Sequence, residues 1–179
     1  MHVEFGTRRI HRMMTGVCAT LLLGVAAMTQ ETGYRVPPQA MVDIVDAPVT
    51  PHVALDPNRD WLLLMHLPSL PPIAELAQPE LRLAGLRINP RTNGQSREAY
   101  YTALTLLRIE TAAKQSIAGL PETARINSVD ISPDGKHIAF TLIEETGISL
   151  WVASADTGQS VRLTAPVLNG IYGRPFSWL

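Results

Sequence analysis

The chain has 179 residues, room for one ordinary domain, and its 46% apolar and 17% charged residues are typical of a globular protein. Its 15 basic and 16 acidic residues give a net charge of −1, which argues against a function in binding phosphate backbones or anionic lipid. The single cysteine excludes an intramolecular disulfide framework and a cysteine-rich zinc site, because both need several thiols.

The N-terminal segment, residues 1–27, has the layout of a secretory signal peptide. Arg8, Arg9 and Arg12 precede an uncharged, largely apolar stretch over residues 13–28, and small residues stand at its end. We therefore predict cleavage after Ala27, a lead-in segment at 28–52, and export to the periplasm or the extracellular space. A membrane anchor is the alternative, and the pattern leaves open whether the Sec or the twin-arginine route is used.

The sequence from residue 129 to residue 164 predicts four short antiparallel strands. Residues 129–140 read as strand, Pro-Asp-Gly-Lys turn and strand, because proline fixes φ and glycine supplies the positive φ that the turn needs. A third strand is expected at 148–154 and a fourth at 160–164, after the Asp156-Thr157-Gly158 turn. Four strands in about 40 residues are typical of one blade of a β-propeller.

The same pattern occurs upstream in two pieces. Residues 53–64 match 129–140 at an offset of 76, whereas Leu106 and Gln115 match Leu150 and Gln159 at an offset of 44. These offsets predict a first blade over 53–128 that carries an insertion at about 67–98, followed by a second blade over 129–164. Residues 176–178 match 129–131 at an offset of 47, which predicts the truncated start of a third blade over 165–179.

The predicted fold class is therefore all-β, an incomplete β-propeller of about two four-stranded blades plus the start of a third, preceded by a signal peptide. An ordinary sandwich of meandering strands is the alternative. Two blades and a fraction cannot close a ring, and open ends leave strand edges unpaired. We therefore expect the chain to be the front piece of a longer protein.

The predicted insertion begins as a proline-broken segment. Residues 73–78 could form a short helical turn before Pro79, and residues 81–88 partly alternate apolar and polar side chains. We interpret the insertion as an ordered excursion on the rim or face of the propeller, where binding residues often lie. The alternative is that its leucines only cover the outside of a blade.

Two segments, residues 34–48 and 68–90, resemble the N-terminal part of the glutamyl endopeptidase branch of the prolyl oligopeptidase family, of the bacterial and chloroplast type. The resemblance extends from about Tyr34 to Leu179. It implies a β-propeller joined to a C-terminal α/β-hydrolase domain and serine peptidase chemistry, with cleavage after glutamate, in a long parent chain. It also implies a non-catalytic, gating role for this segment, whose parent meets its peptide substrate through a hydrolase domain that is missing here.

The chain lacks the motif on which this chemistry depends. No Gly-x-Ser-x-Gly elbow occurs in the 179 residues, so no catalytic residue of the family is assigned to any position. No cofactor-binding motif occurs either, and no nucleic acid is expected as a partner, nor a membrane for the mature form. A non-enzymatic periplasmic propeller of the TolB-like type, which would bind protein partners, remains the alternative function.

Other candidate ligands have simpler interpretations. His52, His66 and His137 stand singly without a second ligand at i+2 or i+4, so no metal site is predicted. Asp43 and Asp46 lack a sign of the buried partner that a catalytic dyad needs, and capping or turn hydrogen bonds suffice for them. Turn chemistry also suffices for the aspartates at 134 and 156, because the other ligands of a calcium loop are absent.

Overall fold

The computed structural model describes residues 36–179. The predicted signal peptide lies outside the described residues. All described residues except 36–39 belong to one compact unit, residues 40–179. No helix in the described range is both long and apolar enough to cross a membrane.

The described chain is mostly β-structure. Its two helices are α1 (Gln39–Val45) and α2 (Ile73–Leu76). Its strands are β1 (His52–Leu55), β2 (Trp61–His66), β3 (Leu81–Leu83), β4 (Leu86–Asn89), β5 (Gly94–Gln95), β6 (Ala103–Arg108), β7 (Lys114–Ser116), β8 (Ile126–Ile131), β9 (His137–Ile143), β10 (Ile148–Ser154) and β11 (Ser160–Arg162).

These strands form two antiparallel four-stranded sheets and one smaller sheet. The first sheet has the order β1-β2-β6-β7, and the second has the order β8-β9-β10-β11. The smaller sheet, β3-β4-β5, lies wholly within the predicted insertion between β2 and β6. The expectation of an all-β chain with two four-stranded units is confirmed.

The hydrogen bonds of the first hairpin in each sheet confirm the first predicted offset. The Asp56 N–H donates to the carbonyl of Trp61 over 3.2 Å, and the Ser132 N–H donates to the carbonyl of His137 over 2.9 Å. The two donors are separated by the predicted offset of 76, and so are the two acceptors. The two strand-turn-strand segments are therefore equivalent pieces of structure, since a hairpin's register is fixed by its turn.

The offset predicted for the third and fourth strands was wrong by two residues. The Arg108 N–H donates to the Ala113 carbonyl over 2.9 Å, and the equivalent bond in the second sheet runs from Ser154 to Gln159 over 3.0 Å. The structural offset is therefore 46 and not 44. The shorter offset was suggested by a Gln-Ser pair that occurs in both sheets. The register instead depends on the residue of each turn that has a left-handed backbone conformation, and not on sequence identity after the turn.

The hydrophobic core lies between the two four-stranded sheets. Each sheet contributes alternate side chains from its two central strands, because successive side chains of a strand point to opposite faces. The buried cluster comprises Trp61, Leu63, Leu104, Leu106, Ile117, Ala124, Ile126, Ile138, Phe140, Leu142, Ala153 and Ala155.

The two sheets meet through non-equivalent faces. Leu63 points into the shared core, but its equivalent in the second sheet, Ala139, lies on the other face of β9. Conversely, Phe140 points into the core and its equivalent, Leu64, lies on the far side of β2. Because successive side chains of a strand alternate between faces, the sheets pack front to back rather than with matching faces together.

Candidate binding site at the insertion

Two local features of the sequence, a pair of prolines and a two-residue turn, account for the structure of the insertion. Pro71 and Pro72 lead into helix α2, whose first residue, Ile73, follows a proline in extended conformation. The hairpin β3–β4 turns through Ala84 and Gly85, which have φ values of 50° and 86°. Two consecutive positive φ values over a two-residue loop are typical of a type I′ turn, the connection that matches the twist of a tight hairpin.

A partly buried ion pair connects the insertion to the second sheet. The Arg125 Nη2 donates to Glu75 Oε1 over 2.7 Å, and only 6% of the Glu75 side chain is exposed. The Arg125 guanidinium also lies 5.0 Å from the centre of the Tyr100 ring, in cation–π contact. Burial, reinforced by the negative charge of Glu75, raises the pKa of the Tyr100 hydroxyl, so the phenol stays neutral.

A cavity of about 260 Å³ opens between α2 and the residues that precede β6. Its wall is mainly apolar, and burial raises the pKa of the Glu98 carboxyl, opposed by a hydrogen bond from the Asn127 side chain. Such a cavity suits an apolar side chain with a polar group beside it. The lining residues are Leu67, Pro68, Pro71, Glu75, Leu76, Arg97, Glu98, Ala99 and Tyr100.

Arg125 also lines a larger cavity, of about 550 Å³, whose wall is more polar. The Glu75–Arg125 pair thus links the walls of two cavities, one apolar and one polar. The other residues of the larger cavity are Gln78, Arg91, Thr92, Pro121, Thr123, Ala124, Leu142, Ile143, Glu144, Glu145 and Thr146.

The smaller sheet of the insertion carries a cluster of three arginines around one carboxylate. Glu80 lies 3.0 Å from Arg82, 3.7 Å from Arg87 and 3.9 Å from Arg97, and 8% of its side chain is exposed. The hydrogen bond from Arg82 is the main cause that lowers the pKa of Glu80, so this carboxylate is ionised at neutral pH. The arginine side chains remain 44–73% exposed.

The three described histidines do not come together. The ring nitrogen Nδ1 of His52 lies 3.0 Å from the Tyr101 hydroxyl, and Nε2 of His66 lies 3.1 Å from Oγ1 of Thr105. His137 is exposed at the start of β9. Within residues 36–179 no group of three or more His, Cys, Asp or Glu side chains is placed to hold a metal ion.

The aspartates singled out by the sequence lie in turns and at a helix. Asp134 Oδ1 accepts hydrogen bonds from the Ser132 hydroxyl at 2.6 Å and from the Lys136 N–H at 3.0 Å. Asp156 forms an exposed ion pair with Arg108 at 3.6 Å. Asp43 lies within α1, and the backbone N–H of Asp46 donates to the carbonyl of Val42 as that helix ends.

Sequence reasoning did not find the residues that build this site. Glu75 and Arg125 are 50 positions apart, and nothing local to either residue indicates the pairing. The arginines of the hairpin had a readable signal, because Leu and Arg alternate on both sides of Ala84-Gly85. A two-residue turn flanked by alternating side chains indicates a hairpin with both arginines on one face.

Sequence comparison relates the chain to peptidases. It is 42% identical over 136 residues to a protein of Arabidopsis thaliana named "Probable glutamyl endopeptidase, chloroplastic", an alignment that covers 71% of this chain and 14% of the relative. A protein of Oryza sativa subsp. japonica with the same name is 38% identical over 138 residues, covering 72% of this chain and 15% of the relative. No family model matches the chain.

The chain thus spans about a seventh of the length of these curated relatives. Among solved structures, a protein of Bacteroides ovatus described as a dipeptidyl aminopeptidase IV superposes with a TM-score of 0.39 and 11% identity. That alignment covers 61% of this chain and 16% of the other.

Proposed function

We propose that this chain is the N-terminal β-propeller portion of an exported serine peptidase of the prolyl oligopeptidase family, in the glutamyl endopeptidase-like branch. The segment itself is non-catalytic and restricts access of peptides to the hydrolase domain of the parent. The observation that carries the proposal is the 42% identity over 136 residues to a protein bearing the glutamyl endopeptidase name.

The front-to-back packing of the two sheets supports the propeller. In front-to-back packing, the front of one sheet contacts the back of the next. Every sheet then offers the same kind of face to the following sheet, so the sheets can repeat around an axis as the blades of a propeller do. The outward face of the first sheet is suited to such an addition. Leu62 and Leu64 are only half-buried there, whereas their equivalents, Ile138 and Phe140, are 0% exposed where a neighbouring sheet covers them.

The position of the insertion supports the restricting role. It leaves the first sheet between β2 and β6 and reaches the beginning of β8, where Glu75 meets Arg125. An excursion that joins neighbouring sheets at one end of their strands covers that end of the propeller. Loops in such positions control access to what lies beneath them.

Export is part of the proposal and rests on the arrangement of residues 1–27, a basic segment, an apolar stretch and a small residue, Ala27, at the end. Fusion of residues 1–40 to a phosphatase that is active only outside the cytoplasm tests it. We expect phosphatase activity from this fusion and none when Leu21, Leu22 and Leu23 are replaced by aspartate. An inactive wild-type fusion would contradict export.

The peptidase proposal is tested by comparing this chain with a product extended through the downstream reading frame, on a peptide containing one internal glutamate. We expect cleavage after glutamate by the extended protein alone, together with labelling by a serine-directed fluorophosphonate probe. A matched peptide with glutamine in place of glutamate serves as the control for specificity.

The outcomes separate the two candidate functions. Cleavage by the 179-residue chain itself would contradict the non-catalytic role. An extended protein that contains further blade repeats but neither cleaves the peptide nor reacts with the probe would favour a TolB-like binding module over a peptidase.

A further inference from the structure

The smaller sheet of the insertion and the residues beside it carry a net positive charge, although the chain as a whole is slightly acidic. Residues 79–97 contain four arginines and one glutamate, whereas the whole chain has a net charge of −1. Three of these arginines share Glu80, at 3.0, 3.7 and 3.9 Å. One carboxylate neutralises one guanidinium, so two positive charges remain unbalanced on an exposed surface.

Two of the arginines lie directly opposite each other. Arg82 on β3 and Arg87 on β4 are partners in register, one pair removed from the Ala84-Gly85 turn. In a two-residue hairpin this is the pair without mutual backbone hydrogen bonds, in which opposite Cα atoms are about 4.5 Å apart. Like charges directly opposite destabilise a hairpin. The arrangement is therefore suited to an anionic ligand that meets both guanidinium groups.

Strand β3 also has a free edge. It lies at the end of the order β3-β4-β5, all three of its residues are exposed, and it pairs only with β4 among the described residues. The backbone N–H and C=O of Arg82 point away from β4, because they belong to the pair that makes no bonds across the hairpin. An extended peptide can bind to such an edge through its main chain.

We propose that the β3 edge binds an extended acidic peptide segment as an added strand. Acidic side chains of the peptide lie on the face of Arg82 and Arg87, and alternate apolar side chains lie against Leu81 and Leu83, which are 55% and 66% exposed. The choice of a polypeptide as ligand rests on the proposed peptidase function. The β3 edge would thus act as an exosite, which binds acidic substrates away from the catalytic residues of the parent peptidase.

Fluorescence anisotropy with the full 179-residue chain tests the proposal. The probe is a fluorescein-labelled ten-residue peptide of alternating glutamate and valine, and its matched control has glutamine in place of glutamate. We expect the glutamate peptide to bind at least about fivefold more tightly, with an affinity that falls as salt is added. Equal affinity for the two peptides would overturn the proposal.

Variants then locate the site. Arg82→Gln combined with Arg87→Gln should weaken binding of the glutamate peptide by about fivefold or more, since two exposed charge contacts are lost. Lys114→Gln combined with Lys136→Gln removes the same charge from exposed positions outside the hairpin and should change binding by less than about twofold. Circular dichroism checks that both variants fold. Similar losses in both variants, or none in the first, would contradict the assignment.

Strand addition has its own test. A glutamate peptide with N-methyl groups on alternate amides keeps its charge but cannot donate to the edge strand, so it should bind at least about fivefold more weakly. Binding of this peptide, or of a ten-nucleotide single-stranded DNA, as tightly as the unmodified peptide would replace the proposal with plain attraction of polyanions. All these measurements record binding without cleavage, so their outcome is independent of whether the extended protein is a peptidase.

Discussion

The two four-stranded sheets have the same chain path, yet equivalent residues in them have different surroundings. Phe140 on β9 is 0% exposed, whereas its equivalent Leu64 on β2 is half-buried. Strand β9 has five consecutive buried residues, whereas β2 alternates between buried and half-buried residues over its first four positions. The burial of a residue in these sheets therefore depends on what covers its face of the sheet, and not on its position in the repeat.

The first turns of the two sheets differ in the groups that stabilise them. In the first sheet the buried Asp56 carboxylate accepts hydrogen bonds from the N–H groups of Asn58, Asp60 and Trp61, at 2.7–3.0 Å. In the second sheet the equivalent residue is Ser132, whose hydroxyl oxygen accepts a hydrogen bond from the N–H of His137. The same backbone shape is therefore held by the Asp56 side chain alone in the first turn, and by the Ser132 hydroxyl together with the Asp134 carboxylate in the second.

The largest expected effect on stability comes from a substitution in the core that the two sheets share. Phe140→Ala removes a fully buried ring and should lower the free energy of unfolding by about 3–5 kcal/mol, whereas Leu64→Ala should lower it by about 1 kcal/mol because its face is only half covered. Urea denaturation of the 179-residue chain measures both. Equal losses would mean that the outward face of the first sheet is covered in solution.

The second prediction concerns the turns. Asp56→Ala leaves three backbone N–H groups without their acceptor and should cost about 2–3 kcal/mol, whereas Ser132→Ala should cost about 1 kcal/mol because fewer bonds are lost. The exposed Asp60→Ala serves as the control and should change stability by less than about 0.5 kcal/mol. A larger loss from Ser132→Ala than from Asp56→Ala would reverse the assignment of the two turns.

The third prediction separates the insertion from the sheets. Glu75→Gln weakens the pair with Arg125, and a double-mutant cycle with Arg125→Gln should give a coupling free energy of about 1–2 kcal/mol, since Arg125 is partly open to solvent. Hydrogen exchange should increase over residues 73–78 and remain unchanged in β9. Coupling near zero would show that the ion pair does not hold the insertion against the second sheet.

The smallest expected effect is a pH dependence of the free energy of unfolding that comes from Asp134, in the first turn of the second sheet. The Ser132 hydroxyl is the main cause that lowers the pKa of Asp134 below 3.8, so the carboxylate contributes stability above that pH, and this contribution is lost as the pH falls through the lowered pKa. Asp134→Asn should therefore lose less stability than the wild type between about pH 5 and about pH 3. An identical loss, measured by urea denaturation, would show that Asp134 is not the titrating group.

Part of the candidate site could be predicted from the sequence, and part could not. The insertion at about 67–98 and the short helical turn after Pro72 were readable, because proline and the interruption of the repeat are local signals. The pairing of Glu75 with Arg125 was not, because it joins residues 50 positions apart through the packing of two sheets. The arginine pair of the hairpin was within reach of sequence reasoning, since the Ala84-Gly85 turn sets its register.

The sequence by itself determined the strand-turn-strand segments of the two four-stranded sheets, because proline, aspartate and glycine limit the local backbone conformation at their turns. It also determined that the hairpin pattern of residues 53–64 returns at residues 129–140. Only the tertiary structure decided which face of each sheet is buried. Alternation puts an apolar side chain on either face of β2 and β9, and the face that loses contact with water depends on the neighbouring sheet, which no local pattern specifies.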